Sequence, residues 1–175
     1  VDNKQQLWVG SEQGLFHLPL VDIANSGLEH SLQLVDVGSY KQPRISSILS
    51  TASGSLVVGT ADKGLFVKND DAPFRPFALG NSTLPWLFTM SEIKPDLLLL
   101  GTFGQGLIEV NIKTHEIRQF SHNPLQPSSL ADDNIWSTFT DSKGRVWIGA
   151  GHTLNIFDAN NQSIINIFGG ANIDK

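Results

Sequence analysis

The residue types that most often catalyse reactions or bind metals are scattered in this sequence. The five histidines stand at positions 17, 30, 115, 122 and 152, and none is part of an HxH or HExxH pattern. Zinc ligands usually occur at such short spacings, so we predict no metal site. The chain has no cysteine, which excludes disulfides, thiolate ligands and a cysteine nucleophile. No other pattern indicates a cofactor.

Two further groups of residues have only a superficial likeness to reactive sites. The acidic pairs Asp70-Asp71 and Asp132-Asp133 lie in polar segments typical of loops, where solvated carboxylates are the usual case. The segment from Gly101 to Gly106 contains three glycines. A phosphate cradle needs a helix behind such glycines, and the residues that follow favour a strand. The sequence therefore favours binding over catalysis.

The elements that must position any binding residues occur in four copies. Each copy has a run of apolar residues ending in a glycine, a short polar loop and further apolar residues. The anchor glycines are Gly10, Gly59, Gly101 and Gly149, which are 49, 42 and 48 residues apart. A β-type repeat of about 40–50 residues is typical of propeller blades. We therefore predict an all-β chain built from propeller blades of four antiparallel strands.

The fourth copy shows how one blade is built. Its expected strands are 134–140, 145–149, 154–157 and 163–168. Asp141 and Gly144 bracket the first hairpin, and we expect the Asp141 carboxylate to bond the backbone of its own turn. The first copy begins at the equivalent turn, at Asp2, and therefore lacks the innermost strand. Residues 21–30 are expected to form an insertion in that copy.

The repeats predict about four blades, in a single segment of a larger propeller. The expected blades are 1–43, without a first strand, then 44–83, 84–133 and 134–175. A blade cannot bury both of its faces alone, so such a fragment exposes apolar surface at its ends. We expect a second copy of the chain to cover that surface in a homodimer.

Charge and hydropathy narrow the range of partners. The 12 lysine and arginine residues are scattered and the formal net charge is −5, so nucleic acids and acidic membrane surfaces are poor partners. No segment has the roughly 20 apolar residues that span a bilayer. Residues 1–4 already belong to a repeat, so we expect no leader peptide there. Any membrane attachment is expected through parts of the protein outside this sequence.

The fourth copy also carries a family resemblance. The sequence Asn-Ile-Trp-Ser-Thr-Phe-Thr-Asp-Ser-Lys-Gly-Arg-Val-Trp-Ile-Gly at 134–149 closely resembles the two-component-regulator propeller repeat. Residues 123–124 and 128–134 resemble the connector between blades of that family. The resemblance implies the periplasmic sensor region of a bacterial inner-membrane signalling protein, with a histidine kinase or a GGDEF-type cyclase as its output. In some relatives this region recognises oligosaccharides released from polysaccharides.

The resemblance makes a non-catalytic sensor propeller the first expectation, with a small molecule, an oligosaccharide or a protein as its ligand. One alternative is a propeller-type lyase, related to the enzymes that inactivate streptogramins, or a hydrolase. Such an enzyme needs reactive residues in the channel, and the sequence suggests only His122 and His152 for that role. The other alternative is a scaffold that binds only proteins, which a flat face without a pocket would favour.

Aromatic and loop residues define the candidate binding face. Trp8 and Trp147 occupy the same place in their copies, which predicts packing between blades. Trp86 and Trp136 begin first strands, near a channel or rim, where a ligand contact is an alternative to core packing. In propellers, the blade connectors and the loops between second and third strands share one face. The candidate ligand-binding residues are Tyr40, Arg44, Lys63, Trp86, Phe103, Gln105, Asp133, Trp136 and His152.

Overall fold

In the computed structural model, the described residues are 1–26, 32–80 and 86–168, and they are almost entirely β. Their strands form four antiparallel sheets, in which hydrogen-bonded neighbours follow one another along the chain. Short connections between consecutive strands produce this order. The prediction of an all-β chain built from antiparallel propeller blades is confirmed.

The four sheets are numbered here as blades 1 to 4. Blade 1 contains β1 (Gln6–Ser11), β2 (Gly14–Pro19) and β3 (Gln33–Val35), with helix α1 (Leu20–Ser26) between β2 and β3 in the chain. Blade 2 contains β4 (Ile45–Ser50), β5 (Leu56–Thr60), β6 (Leu65–Lys68) and β7 (Arg75–Phe77). Blade 3 contains β8 (Leu87–Lys94), β9 (Leu97–Thr102), β10 (Leu107–Asn111) and β11 (Ile117–Phe120). Blade 4 contains β12 (Ile135–Thr140), β13 (Val146–Ala150), β14 (Thr153–Asp158) and β15 (Ser163–Phe168).

The chain divides into two compact units, Val1–Leu87 and Phe88–Lys175. Blades 1 and 2 lie in the first unit, and blades 3 and 4 lie in the second apart from Leu87, the first residue of β8. The insertion predicted at 21–30 falls mainly on α1, and residues 27–31 lie outside the described residues. A single propeller segment over 1–175, with the blade boundaries given above, stays a prediction.

Each unit has an apolar core between its two blades. In the first unit the core side chains are Leu15, Val37, Leu56, Val58, Phe66 and Phe74. In the second unit they are Leu99, Leu107, Leu130, Ile135, Val146, Ile148, Ala150, Phe157 and Ile164. Burying these side chains against a neighbouring blade removes apolar surface from water, which is the main stabilising contribution to such a repeat.

Two of the anchor glycines, Gly10 and Gly101, mark where neighbouring blades approach one another. A Cβ atom at Gly10 in blade 1 would overlap the side chain of Ile45 in blade 2. In the second unit, a Cβ atom at Gly101 in blade 3 would overlap Ile135 in blade 4. Ile45 and Ile135 each begin the first strand of the following blade. Close approach, and not a left-handed backbone, is therefore what requires glycine at these two positions.

A pair formed by an aspartate and a tryptophan closes the turn before β1 in blade 1 and the turn between β12 and β13 in blade 4. Asp141 Oδ1 accepts the backbone N–H of Arg145 at 3.0 Å, as expected for an aspartate that opens a turn. Asp141 Oδ2 accepts the indole N–H of Trp147, also at 3.0 Å. Asp2 Oδ2 accepts the indole N–H of Trp8 at 2.8 Å. The same turn chemistry therefore fixes both indole rings.

Trp8 and Trp147 are half-buried rather than enclosed. Trp8 packs at the margin of the first core and stacks on His17, with ring centroids 5.0 Å apart. Trp147 lies beneath the Arg145 guanidinium, whose carbon is 5.4 Å from the ring centroid. The predicted packing between blades therefore describes Trp8 better than Trp147, and neither ring has the full burial of a core residue.

Replacing Asp141 by Asn is expected to make the protein less sensitive to acid. The hydrogen bond from the Trp147 indole, with further ones from Arg145 and Lys143, outweighs partial burial and lowers the pKa of Asp141 from its ordinary 3.8. Such a carboxylate stabilises the fold above its unfolded pKa, and the contribution is lost as the pH falls towards the folded pKa. Thermal unfolding followed by circular dichroism between about pH 5 and 2 checks this.

The expected result is a wild-type melting temperature that falls more steeply with acid than that of Asp141→Asn. Asp158→Asn is the matched control, because Asp158 also opens a turn, where it accepts the N–H of Asn160 at 2.9 Å, but it bonds no indole. If the melting temperatures of wild type and Asp141→Asn fell equally with decreasing pH, the stabilising role assigned to the Asp141 carboxylate would be contradicted.

Blade 4 carries an exposed apolar row on one face. Phe139, Trp147, Ile156 and Ile165 are paired in register across its four strands, which places them on the same side of the sheet. Phe139 is 66% exposed and Ile165 is 57% exposed. Such a row agrees with the exposed apolar face that the repeat pattern predicts for a blade without a neighbour on one side.

The predicted homodimer stays a prediction, and this row makes it testable. We expect light scattering on a sizing column to give twice the chain mass, because isologous packing of two such rows removes both from water. Phe139→Glu combined with Ile165→Glu should give a monomer with an unchanged circular dichroism spectrum, since both side chains are exposed. A wild-type monomer at all concentrations would contradict the expectation.

Candidate functional site

The loops β1–β2, β5–β6 and β9–β10 share one local structure, which positions several candidate residues. In blade 3 the Thr102 hydroxyl donates to the Gly106 carbonyl at 2.7 Å and accepts the N–H of Gln105 at 3.2 Å. In blade 2 the Thr60 hydroxyl bonds in the same way to Gly64 and Lys63, each at 2.8 Å. Ser11 has this role in blade 1. The hydroxyl at the end of β1, β5 and β9 therefore sets the shape of the loop that follows, whereas β13 in blade 4 ends in Ala150 and has no hydroxyl there.

Three aromatic side chains come together in the second unit, and we call them the aromatic cluster: Phe88, Phe103 and Trp136. Their ring centroids are 5.5–6.1 Å apart and their planes are inclined by 54–67°. Phe103 and Trp136 are each 50% exposed, while Phe88 is half-buried. Aromatic rings pack favourably at such separations and tilts. Half of the surface of two large rings nevertheless remains open to solvent.

Different elements supply the three rings of the aromatic cluster. Phe88 is the second residue of β8, Trp136 is the second residue of β12, and Phe103 lies in the loop between β9 and β10. The sequence singled out Phe103 and Trp136 but missed Phe88. A signal was present, because Phe88 stands 13 residues before Gly101, as Trp136 stands 13 residues before Gly149.

This register corrects the relation drawn between Trp86 and Trp136. Trp86 lies one residue before β8, whereas Trp136 lies within β12. Counted from the anchor glycines, Trp86 corresponds to Asn134 and not to Trp136. Hence Trp86 does not begin the first strand of blade 3, and Phe88 has the place that corresponds to Trp136.

Asp133 and Gln105 form hydrogen bonds that hold the segments near the aromatic cluster in place. Asp133 Oδ1 accepts the N–H of His122 at 2.6 Å, and its carbonyl accepts the N–H of Gly106 at 2.9 Å. Gln105 offers its carbonyl to the side-chain amide of Gln119 at 2.8 Å. The contacts of Asp133 hold the connector between blades 3 and 4 against the Phe103 loop, so its carboxylate is engaged in structure.

The two histidines considered for catalysis differ in their surroundings. His122 Nδ1 lies 2.7 Å from the carbonyl oxygen of Leu130, and because a carbonyl only accepts, Nδ1 carries the proton. His152 is exposed in the loop between β13 and β14, where the N–H of Gly151 donates to the Asn134 carbonyl. Within the described part of the chain, no cluster of three or more histidine, aspartate or glutamate side chains could hold a metal ion.

The remaining candidates lie in the first unit and form two cation–aromatic pairs. Lys63 Nζ is 5.5 Å from the centre of the Tyr40 ring, and the Arg44 guanidinium carbon is 5.6 Å from the centre of the Trp86 ring. The carbonyl of Arg44 accepts the N–H of Ala61, which ties the connector to the Thr60 loop. The structure therefore groups the candidates by unit, with Tyr40, Arg44, Lys63 and Trp86 in one and Phe103 and Trp136 in the other.

Comparison with known proteins agrees with the repeat pattern. Residues 129–152 match the family described as two component regulator propeller, so the chain carries a repeat of that family. Over 74 residues the chain is 35% identical to Histidine kinase P4 of Formosa agariphila. This match covers 42% of the chain and 5% of that protein. The resemblance found at 134–149 is therefore confirmed.

Solved structures similar to this chain are propeller proteins of more than one kind. Two extracellular domains from Bacteroides thetaiotaomicron, described as parts of hybrid two-component systems, have TM-scores of 0.72 and 0.71 at 21% and 17% identity. They match 99% and 93% of this chain and 21% and 22% of their own. Virginiamycin B lyase from Staphylococcus aureus matches 99% of this chain and 55% of its own, with a TM-score of 0.68 and 11% identity. At such identities the likeness shows the fold alone.

The chain spans only 5% of the curated relative and about a fifth of the Bacteroides chains. No helix within the described residues is long and apolar enough to cross a membrane.

Proposed function

We propose that this chain is the ligand-recognition part of a bacterial sensor, a non-catalytic propeller held outside the inner membrane and coupled to a cytoplasmic output. The family repeat at 129–152 and the likeness to a histidine kinase support signalling. The two similar Bacteroides structures are described as extracellular domains, which supports a periplasmic location.

The aromatic cluster is the observation that carries the proposal. Exposed aromatic surface costs free energy in water, since folding could bury it among other apolar groups. Phe103 and Trp136 each leave half of their surface exposed beside Phe88. Gln105 lies in the same loop as Phe103, and binding sites commonly combine aromatic walls with a few polar groups. Ligand contact explains the exposure of the cluster.

We propose an oligosaccharide as the ligand class. The C–H face of a sugar ring is apolar while its edge carries hydroxyl groups, so an exposed aromatic ring suits the face and neighbouring amides suit the edge. Gln119 donates its side-chain amide to the Gln105 carbonyl in the Phe103 loop, and an amide has a second N–H and an oxygen for further hydrogen bonds. The family resemblance at 134–149 supports the same class.

Isothermal titration of the chain with a panel of neutral and acidic oligosaccharides of two to eight sugar units tests the proposal, where roughly micromolar to millimolar Kd is expected for an exposed site. Chromatography of each mixture after incubation should show the sugar unchanged. Cleavage of a panel member would favour the enzyme alternative, and failure of the whole panel to bind would remove oligosaccharides as the ligand class.

The lyase alternative has less support in the residues. His122 is engaged by Leu130 through its ring and by Asp133 through its backbone N–H. The likeness to virginiamycin B lyase, at 11% identity, concerns the fold and carries no residue roles.

A further inference from the structure

A second cleft lies in the first unit, between blade 1 and the turn that joins β6 to β7. Its volume is about 400 Å³, which is in the range of sites for small ligands. Blade 1 contributes Trp8, His17 and Gln33, and blade 2 contributes Lys68, Asp70 and Asp71. None of these residues belongs to the face predicted from sequence.

The blade 1 side of the cleft is a rigid aromatic wall. Trp8, His17 and Gln33 are paired in register across the three strands of the blade. The Trp8 and His17 rings stack at 5.0 Å with their planes inclined by 26°, and the indole N–H is held by Asp2 at 2.8 Å. His17 Nδ1 lies 3.3 Å from the side-chain oxygen of Gln6, which only accepts, so this nitrogen carries the proton. In the neutral ring, the other nitrogen is therefore left as an acceptor.

One carboxylate at the cleft, that of Asp70, interacts with Lys4 at longer range but is not in direct contact with it. Three carboxylates and two ammonium groups line it. Lys4 forms an ion pair with Asp71 at 2.8 Å. The Asp2 carboxylate accepts hydrogen bonds from the indole N–H of Trp8 and from the backbone of its own turn. Lys68 donates to the Ala72 carbonyl at 2.7 Å. Among the described residues, the Asp70 carboxylate has no hydrogen bond and no ion pair.

The cleft is not a general consequence of two blades meeting. In the second unit, Leu99 stands two residues before Gly101, as Trp8 stands two residues before Gly10. There the partly buried Ile93 and Ala159 pack against the core that contains Leu99. The corresponding place between blades 3 and 4 is thus apolar and packed. The aromatic, acceptor-rich lining therefore occurs at the junction of blades 1 and 2 and not at the junction of blades 3 and 4.

We propose that this cleft binds a small protonated organic amine with an apolar body. The aromatic wall suits the apolar body and attracts a cation through the negative face of its rings. The Asp70 carboxylate supplies the counter-charge. The Nε2 atom of His17 and the side-chain oxygen of Gln33 accept the remaining N–H groups of the amine. The cleft shares no residue with the aromatic cluster, so amine binding here does not depend on oligosaccharide binding there.

Benzylamine and benzyl alcohol are a matched pair of probes, because they share a ring and differ in the charged group. Titrations of the labelled chain are followed by NMR at the indole N–H of Trp8. We expect benzylamine to shift this signal with a millimolar Kd, and benzyl alcohol to bind at least about ten-fold more weakly. Equal affinity for both probes, or no shift with benzylamine, would overturn the proposal.

Asp70→Asn tests the carboxylate without disturbing the turn. Asp70 has a φ of +48°, and Asn tolerates this left-handed conformation as readily as Asp. We expect the variant to keep the NMR spectrum of the folded chain and to bind benzylamine at least about ten-fold more weakly than wild type does. Glu12→Gln, an exposed charge removal elsewhere on blade 1, is the control and should bind as wild type does. Unchanged binding by a folded Asp70→Asn would exclude the assigned role.

Discussion

Replacing Trp136 by Ala is expected to weaken oligosaccharide binding about thirty-fold, because a large aromatic contact at the centre of a site is commonly worth about 2 kcal/mol. Trp136 is 50% exposed and packs only on Phe88 and Phe103 within the cluster. We therefore expect a smaller stability loss than the roughly 3–5 kcal/mol of a buried tryptophan. Titration calorimetry and urea unfolding of the same preparation give both quantities.

Phe139→Ala is the matched control for this experiment. Phe139 lies three residues further along β12 and is exposed, but it belongs to the exposed apolar row of blade 4 and not to the aromatic cluster. We expect this variant to bind the oligosaccharide as wild type does. Equal losses in both variants, or a loss of binding by Trp136→Ala that only follows a loss of folded protein, would argue against the cluster as the binding site.

Replacing Gly106 by Ala is expected to destabilise the second unit by about 2–5 kcal/mol, because two separate effects add. Gly106 has a φ of +71°, where a side chain costs about 1–2 kcal/mol. Its Cβ would also collide with the Phe120 carbonyl and crowd the Asp133 carboxylate, and such overpacking costs about 1–3 kcal/mol more. Denaturant unfolding measures the sum, and binding should weaken because the Phe103 loop shifts.

Gly104→Ala separates the two effects. Gly104 lies in the same loop and has a similar φ of +76°, but a Cβ built there meets nothing within 4 Å. This variant should lose only the backbone contribution of about 1–2 kcal/mol. If Gly104→Ala and Gly106→Ala were equally stable, the close approach of Gly106 to the connector would be refuted.

The blade structure could be predicted from the sequence because the repeated features act locally. An aspartate that opens a turn and the alternation of apolar residues along each strand depend on neighbouring residues. Asp141, which accepts the N–H of Arg145, is one example. The second role of Asp141, accepting the indole N–H of Trp147, joins residues six apart across a hairpin and was not foreseen.

The candidate site was only partly predictable, because its members are brought together by contacts between blades. Phe103 and Trp136 were identified separately, but nothing in a list of loops shows that Phe88 completes the cluster. Asp133 was selected by its place in a connector, whereas its carboxylate bonds the N–H of His122. The acceptor-rich cleft at Trp8 was missed because the repeated position of this tryptophan favoured a packing role.

The indole N–H signals of the chain give the most direct test that the aromatic cluster is the ligand-recognition site. The chain has four tryptophans, and their indole signals can be followed while the bound oligosaccharide is added. We expect the signal of Trp136 to shift with the calorimetric Kd, while that of Trp147, which is held by Asp141 in the exposed row of blade 4, stays in place. A ligand that binds without moving the Trp136 signal would contradict recognition at the aromatic cluster.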